Sequence, residues 1–492
     1  MIAAAALSLA LVTQDAAPLR AAANDNAPTQ AQLWPGDALE VRGERLGWLQ
    51  VWDHRRERPG YIRATHVRPI STEAARAPEL LSVLRFVRDT PGAESLGIAY
   101  AAAYLKAVPA TQLNPEALDA LGHMAERLAQ RASSRHAVAL AQAGITAAPT
   151  GGVDSRLSGH LDGVRAYGVS FQSFEQDGSV RLCYDGEAFQ RLLAHPQATP
   201  EQKGRALLGL TRHDCVAPTL TLSEREAHTQ RRAALLDSLD ASEWAALPEQ
   251  MRNQLRLRRA GVWAELAHSQ ARRGQAAQAA GQRALQELAA ILKTELSDDD
   301  QAAYKEAAIR VGASRWAAEA AMPAAALSAR PSLMTQAGEP GQTCVLLVDA
   351  QHGPQAPLLK RCTWGVPWLA SAKVNVRGDA VALAVQPLPA WRELWLMKKT
   401  ESGWAVEVMP PASGNVLGSD LGYVEFAGWV PETEPKLLLA RESRSEGRFT
   451  RRFEVAQQDT LTVDKQASTP ELLTGFKRWA EPAWRKQTVA LR

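Results

Sequence analysis

The 492 residues contain no G-x-S-x-G elbow, no P-loop, no H-E-x-x-H pair and no dinucleotide-binding G-x-G-x-x-G. Those absences remove the best-marked routes to acyl transfer, nucleotide hydrolysis, zinc proteolysis and hydride transfer. The ten histidines are scattered, and no two stand four apart as metal ligands on one helix face. Cysteine is scarce: there are four, with no C-x-x-C, which argues against a zinc ribbon or a thioredoxin-type site. Charge of one sign is missing too. The formal net charge is +3, so nothing in the overall balance draws the chain to nucleic acid or to an anionic membrane. Beyond the first dozen residues no stretch is apolar enough to span a bilayer, which takes roughly 20 residues. Nothing in the sequence asks for a cofactor or a metal.

What is present is ordinary globular material, 46% hydrophobic and 22% charged, in a chain too long for one core. Ile2 to Val12 is an uncharged apolar run that suits the h-region of a signal peptide, with residues 1–17 as the removed segment. A short buried helix or strand is the alternative. The cysteines fall in two neighbourhoods, Cys183 with Cys215 and Cys344 with Cys362. Four cysteines allow three pairings, and the local one is simplest because each pair then lies within one domain. Export and disulfides together point to a periplasmic or secreted protein.

Residues 18–70 read as short strands and turns. Trp34-Pro35-Gly36-Asp37 is a turn into an alternating strand through Val41, Trp48 to Trp52 alternates again, and Gly60-Tyr61-Ile62 opens a last strand. This stretch resembles a bacterial Src-homology-3 domain. Gly36-Asp37-Ala38-Leu39-Glu40-Val41, Gly47-Trp48-Leu49-Gln50-Val51 and Gly60-Tyr61-Ile62 follow that family's motifs in order and spacing, and Leu19-Arg20 sits where its opening pair belongs. The resemblance implies a small barrel common in cell-wall proteins. It also implies an aromatic groove for peptide or glycan formed by Trp34, Trp48, Trp52 and Tyr61.

Residues 73–326 turn helical, with Leu80, Leu84 and Val87 on one face and Leu118, Leu121, Ala125 and Leu128 on another. Helix starts are marked by Asn114-Pro115 and by hydroxyl residues answered three positions on: Thr199 by Gln202, Ser223 by Glu226 and Ser297 by Asp300. A loop is expected near Gly151 and Gly152, and a brief extended stretch between Tyr167 and Tyr184. A helix pair around Gly274, with Trp263, Leu266, Ala267 and Ala279, resembles tetratricopeptide-type packing.

Residues 340–492 switch to period two. A hairpin across Cys344 and Cys362 is followed by two four-stranded antiparallel sets, spanning residues 373–409 and 423–464. These resemble propeller blades, though too few to close a propeller, and an open stack of sheets or a sandwich fits equally. Trp479 and Trp484 belong to a final helix or turn, with Thr488 to Leu491 returning as an edge strand. The expected fold class is thus multidomain α+β: a small barrel, a helical array and a C-terminal antiparallel domain.

The reactive residue types read structurally. His213-Asp214-Cys215 is a helix-end cluster beside a disulfide, since an oxidised cysteine is no nucleophile. Asp185-Gly186-Glu187 is a turn into a helix, and Asp298-Asp299-Asp300 occupies a helix N-terminus that favours acids. Arg252, Arg256, Arg258, Arg259, Arg272, Arg273 and Arg283 make the helix pair basic, as a solvated face. Trp364, Trp368, Trp391, Trp395, Trp404 and Trp429 read as packing of the β region. With no catalytic motif, the expected function is binding or scaffolding in the cell envelope, the barrel contacting peptidoglycan peptide or a protein partner. The alternatives are an exported wall hydrolase targeted by the barrel, and an anion- or lipid-binding accessory protein.

Overall fold

The computed structural model describes residues 8–143, 155–176, 179–320, 328–412, 420–445 and 447–491. It is α+β, with an N-terminal antiparallel sheet, helices in the middle and a C-terminal sheet region. The chain forms two compact units. One holds residues 1–219 with 239–247, the other 220–238 with 248–492. The expected three-part division is therefore corrected, because the helical stretch is shared between the units. Residues 1–7 of the apolar run and the loop expected at Gly151 and Gly152 lie outside the described residues.

In the first unit, β1 (Ser8–Val12), β2 (Ala17–Arg20), β3 (Thr29–Leu33), β4 (Ala38–Arg45), β5 (Trp48–Asp53), β6 (Arg58–Arg63) and β7 (Val67–Ile70) form one sheet in the order β3-β2-β6-β5-β4-β1-β7. Every pairing in it is antiparallel. All seven strands contribute to one core, including Val12, Leu19, Leu33, Leu39, Val51, Ile62 and Val67, so the sheet curls around a single interior, and it is called the barrel below. The turn Trp34-Pro35-Gly36-Asp37 closes through the Asp37 N–H donating to the Trp34 carbonyl at 2.9 Å, with Gly36 at φ +94°. Proline at the second position and a left-handed glycine at the third are what a type II turn requires.

Strand β1 corrects two expectations. Ser8 to Val12, read as part of a removable leader, pairs with β4 on one side and β7 on the other, and Ala10, Leu11 and Val12 are buried. The barrel thus begins at β1 rather than at residue 18. An apolar run that can bury both faces serves as a central strand as readily as an h-region.

Helices α1 (Ala77–Val87), α2 (Glu94–Ala107), α3 (Glu116–Ala143) and α4 (Ser155–Arg165) follow, then the hairpin β8 (Phe171–Gln176) and β9 (Ser179–Tyr184), then α5 (Glu187–Leu193) and α6 (Pro200–Leu210). Leu80, Leu84, Ile98, Tyr100, Met124, Leu128 and Leu157 share a core with Leu11 of the barrel. The expected box at Thr199 and Gln202 is present. The next one sits two residues earlier than expected. Helix α7 (Leu222–Leu236), in the second unit, is capped by Thr221 with Glu224 rather than by Ser223 with Glu226. The short α8 (Ala241–Ala246) belongs to the first unit.

The second unit continues with α9 (Glu249–Arg272), α10 (Gln278–Ala289) and α11 (Asp298–Ser314), the last capped by Ser297 as expected. Gly274, at φ +70°, ends α9. The buried face of α10 is Ala280, Ala284 and Leu288, one residue off the tetratricopeptide register, and Ala279 is exposed. A three-stranded sheet follows, β10 (Ser332–Ala337), β11 (Thr343–Val348) and β12 (Leu359–Thr363), with Cys344 directly opposite Cys362.

Eight strands then make one sheet: β13 (Val366–Val374), β14 (Ala380–Leu388), β15 (Trp391–Thr400), β16 (Gly403–Met409), β17 (Leu421–Val430), β18 (Lys436–Ser445), β19 (Arg448–Gln457) and β20 (Val463–Ala467). Its halves are antiparallel meanders joined where β15 and β17 run parallel for two residue pairs. Ala380, Ala382, Leu394 and Leu396 of the first half share one core with Val424, Phe426, Leu437 and Leu439 of the second. The two expected four-stranded sets are thus halves of a single mixed sheet, and their facing residues share one core. The outer face of the first half packs Leu383, Val385 and Trp395 against Val345 and Leu347 of the small sheet. That of the second packs Phe453 and Val455 against Phe476 and Trp484 of α12 (Thr474–Trp479) and α13 (Pro482–Leu491). Helix α13 includes Thr488 to Leu491, which replaces the expected edge strand.

Candidate functional site

Alternation along β5 sends Leu49 and Val51 into the barrel core and Trp48, Gln50 and Trp52 to the opposite face. On β6, Tyr61 stands across from Gln50, Arg63 across from Trp48 and Pro59 across from Trp52, so these residues share that outward face. Three of the four expected aromatics, Trp48, Trp52 and Tyr61, therefore come together. Cations frame them. The Arg63 guanidinium lies 4.4 Å from the centre of the Trp48 ring and pairs with Asp25, which covers Trp48 and leaves it 4% exposed. The Arg42 guanidinium lies 4.7 Å from the Trp52 ring, and His54 meets that ring edge-on. Glu40 accepts from Arg42 at 3.0 Å and contacts His54 at 2.6 Å, and the Arg42 bond first, then His54, holds its carboxyl below the usual range. Trp52 and Tyr61 stay half-buried. The result is an aromatic strip edged by two guanidiniums, each already paired with an acid, Arg42 with Glu40 and Arg63 with Asp25, and suited to a ligand that offers a flat or apolar part.

Trp34 is not part of it. Its ring is 8% exposed and lies on α4, where a Cβ on Gly159 would fall 2.1 Å from Nε1. His160 meets it edge-on at 5.9 Å between ring centres. The expected four-residue groove is corrected to three residues, because the turn that displays Trp34 is the barrel's contact with α4. Tyr167 donates to the Gly36 carbonyl in the same contact.

The other candidates resolve as structure. Cys183 bonds to Cys215, Cys344 to Cys362, and no cysteine is free. Asp214 takes Arg181 at 2.8 Å and Arg212 at 2.9 Å, so the His213-Asp214-Cys215 cluster is a tied helical turn. Gly186, at φ +86°, turns the chain from Asp185 into α5, and Asp298 to Asp300 fill the first turn of α11. Of the seven arginines read as a solvated face, Arg252 and Arg256 bind Glu249, Arg259 and Arg283 reach Glu287, and Arg273 pairs with Glu226. Trp368, Trp391 and Trp395 are buried, whereas Trp364 is 54% exposed and does not serve as core. Among the described residues no group of three or more His, Cys, Asp or Glu could hold a metal ion. A polar groove of about 530 Å³ in the first unit is lined by Arg88, Gln112, Asn114, Glu116, Thr199 and Gln202. Its charges cancel against neighbours, Arg88 with Asp119 and Glu116 with Arg85.

Arg42, Arg63, Glu40 and His54 went unnoticed in the sequence. Strand alternation alone marks Arg63 as a neighbour of Tyr61 on the far side of the core, but its place over Trp48 depends on the β5–β6 register. His160 carried no signal at all. No family model matches the chain, and neither a curated protein nor a solved structure matches it.

Proposed function

We propose that this protein is an extracytoplasmic binding protein whose barrel, of the bacterial Src-homology-3 kind, contacts the peptide of the cell wall through Trp52 and Tyr61, with Trp48 packed beneath Arg63 beside them. The observation that carries this reading is the outward strip of those aromatics between Arg42 and Arg63. Stem peptides offer flat amide faces to the rings. Two closed cysteine pairs support an oxidising compartment, and among the described residues no helix is long and apolar enough to cross a membrane.

The test is retention of the intact protein on purified peptidoglycan sacculi, beside the double variant Trp52→Ala, Tyr61→Ala. Retention lost in the variant, with the same urea midpoint, supports the reading. Equal retention of both proteins, or none of either, overturns it, and the second result redirects the strip to a protein partner.

A further inference from the structure

Helix α4 meets the barrel's 34–37 turn with a bare surface. Gly159 lies beneath the Trp34 indole, and Gly163 faces Asp37, whose Oδ1 would stand 3.3 Å from a Cβ there. Between the two glycines His160 is 1% exposed. Its Nε2 lies 3.3 Å from Oδ1 of Asp15, an acceptor only, so the neutral ring keeps its proton on Nε2 and donates it. Its Nδ1 is buried and has no hydrogen-bond partner. Asp15 is already engaged, its other oxygen 2.5 Å from Arg156. The charged groups acting on the ring are therefore Asp15 from the β1–β2 turn, Arg156 from α4 and Arg131 from α3, while Trp34 is neutral.

We propose that His160 is an acid-sensitive latch between α4 and the barrel. A second proton on the ring must sit on Nδ1, a buried atom with no acceptor, beside two arginines and one shared carboxylate. A buried donor without an acceptor costs about 1–3 kcal/mol, more when charged, so the cheaper response is for the contact to open and let water reach the ring. Opening frees Trp34 from Gly159 and breaks the Tyr167 bond to Gly36.

The sign follows from the ring's surroundings. Burial first, with help from Arg156 and Arg131, holds the imidazole below its ordinary range, against the pull of Asp15. Once the contact opens, the ring regains its ordinary value near 6.5. Closure is therefore complete above that pH and weakens as pH falls through it toward the depressed value. At about pH 5.5 opening becomes up to about tenfold more frequent, the factor by which an ordinary imidazole favours its proton there.

Hydrogen exchange read by mass spectrometry on the intact, disulfide-bonded protein tests this, with rates normalised for the intrinsic effect of pH. From about pH 7.5 to about pH 5.5, peptides covering Trp34 to Asp37 and Ser155 to Tyr167 should accelerate severalfold, with about tenfold as the ceiling. In His160→Gln, which keeps a donor for Asp15 and takes no proton, that acceleration should vanish. Unchanged normalised rates in the natural protein, or equal acceleration in the variant, overturn the latch. If the variant fails to fold, an NMR titration of the His160 ring decides: a midpoint below that of an ordinary imidazole supports the latch, and one at or above it removes the latch.

Discussion

Lowering the pH should destabilise the second unit, and one side chain, His268, should carry a separable share of the loss. It lies on α9, 3% exposed, with Nε2 3.3 Å from the backbone carbonyl of Gln386 on β14. Burial, reinforced by Arg272 and opposed by that carbonyl, takes its pKa down to about 4. In the unfolded chain the ring returns to about 6.5, so the folded state binds fewer protons between those values. A depressed histidine contributes stability that is whole above about pH 6.5 and fades as pH drops toward 4. The gap of about 2.5 units corresponds to about 3 kcal/mol in all, of which about 2 kcal/mol is gone by pH 5. The assay is urea unfolding of the natural protein and of His268→Gln at neutral pH and at pH 5, disulfides intact. Other buried histidines titrate alike in both proteins, so the difference between the two pH responses isolates this one. The variant should lose about 2 kcal/mol less on acidification. Identical losses would show that His268 is neither dry nor neutral in the folded protein and would refute the reasoning.

Three further outcomes follow from contacts elsewhere. Arg127→Met should cost the first unit roughly 3 kcal/mol in urea unfolding, because Glu94, 1% exposed and bound by Arg127 at 2.7 Å, is left with Arg131 as its remaining cation beside the Gly92 N–H; an unchanged midpoint would mean that Glu94 takes a proton instead. Reduction with a thiol should lower stability in both units, by about 4 kcal/mol for the 32-residue spacing of Cys183–Cys215 and about 3 kcal/mol for the 18-residue spacing of Cys344–Cys362 in the chain-entropy picture, read as the drop in thermal midpoint. Gly159→Ala should destabilise by about 1–3 kcal/mol, since its new methyl group meets the Trp34 ring, and a stabilising effect would show that the indole has room to move.

The barrel and the β region were readable because their signals are local. Alternation from Trp48 to Asp53 fixes which face is core, and each antiparallel neighbour of β13 to β16 and β18 to β20 follows its partner directly in sequence. The joint that links the two meanders into one sheet is not local. It rests on Trp391 and Arg392 lying beside Gly422 and Tyr423, about thirty residues on. Arg392 then reaches Gly312 at 2.8 Å and, with Arg315, closes on buried Glu425, a triad whose members lie far apart in the chain. The α7 cap slipped by two because Thr221 and Ser223 both have a Glu three residues later, and only packing chooses between such frames. Trp34 was misassigned for a related reason: aromatic content marks a residue for burial or binding without saying which neighbour will cover it.

The barrel is also less separable from its unit than its sequence suggests. Strand β1 alternates between two cores. Ala10 and Val12 belong to the barrel's own, whereas Leu11, 1% exposed, packs with Leu80, Leu84 and Ile98 of the helices. Removing the barrel would therefore strip a wall from the helical core, as a large-to-small change at Leu11 would do in miniature at about 2–5 kcal/mol. A deletion that abolished wall binding would then report unfolding as readily as the loss of a ligand face. Trp52 and Tyr61 stand clear of both cores, so their removal takes aromatic surface from the strip and leaves β1 in place. Stability that holds while retention falls is the combination that a purely structural role for the strip does not produce.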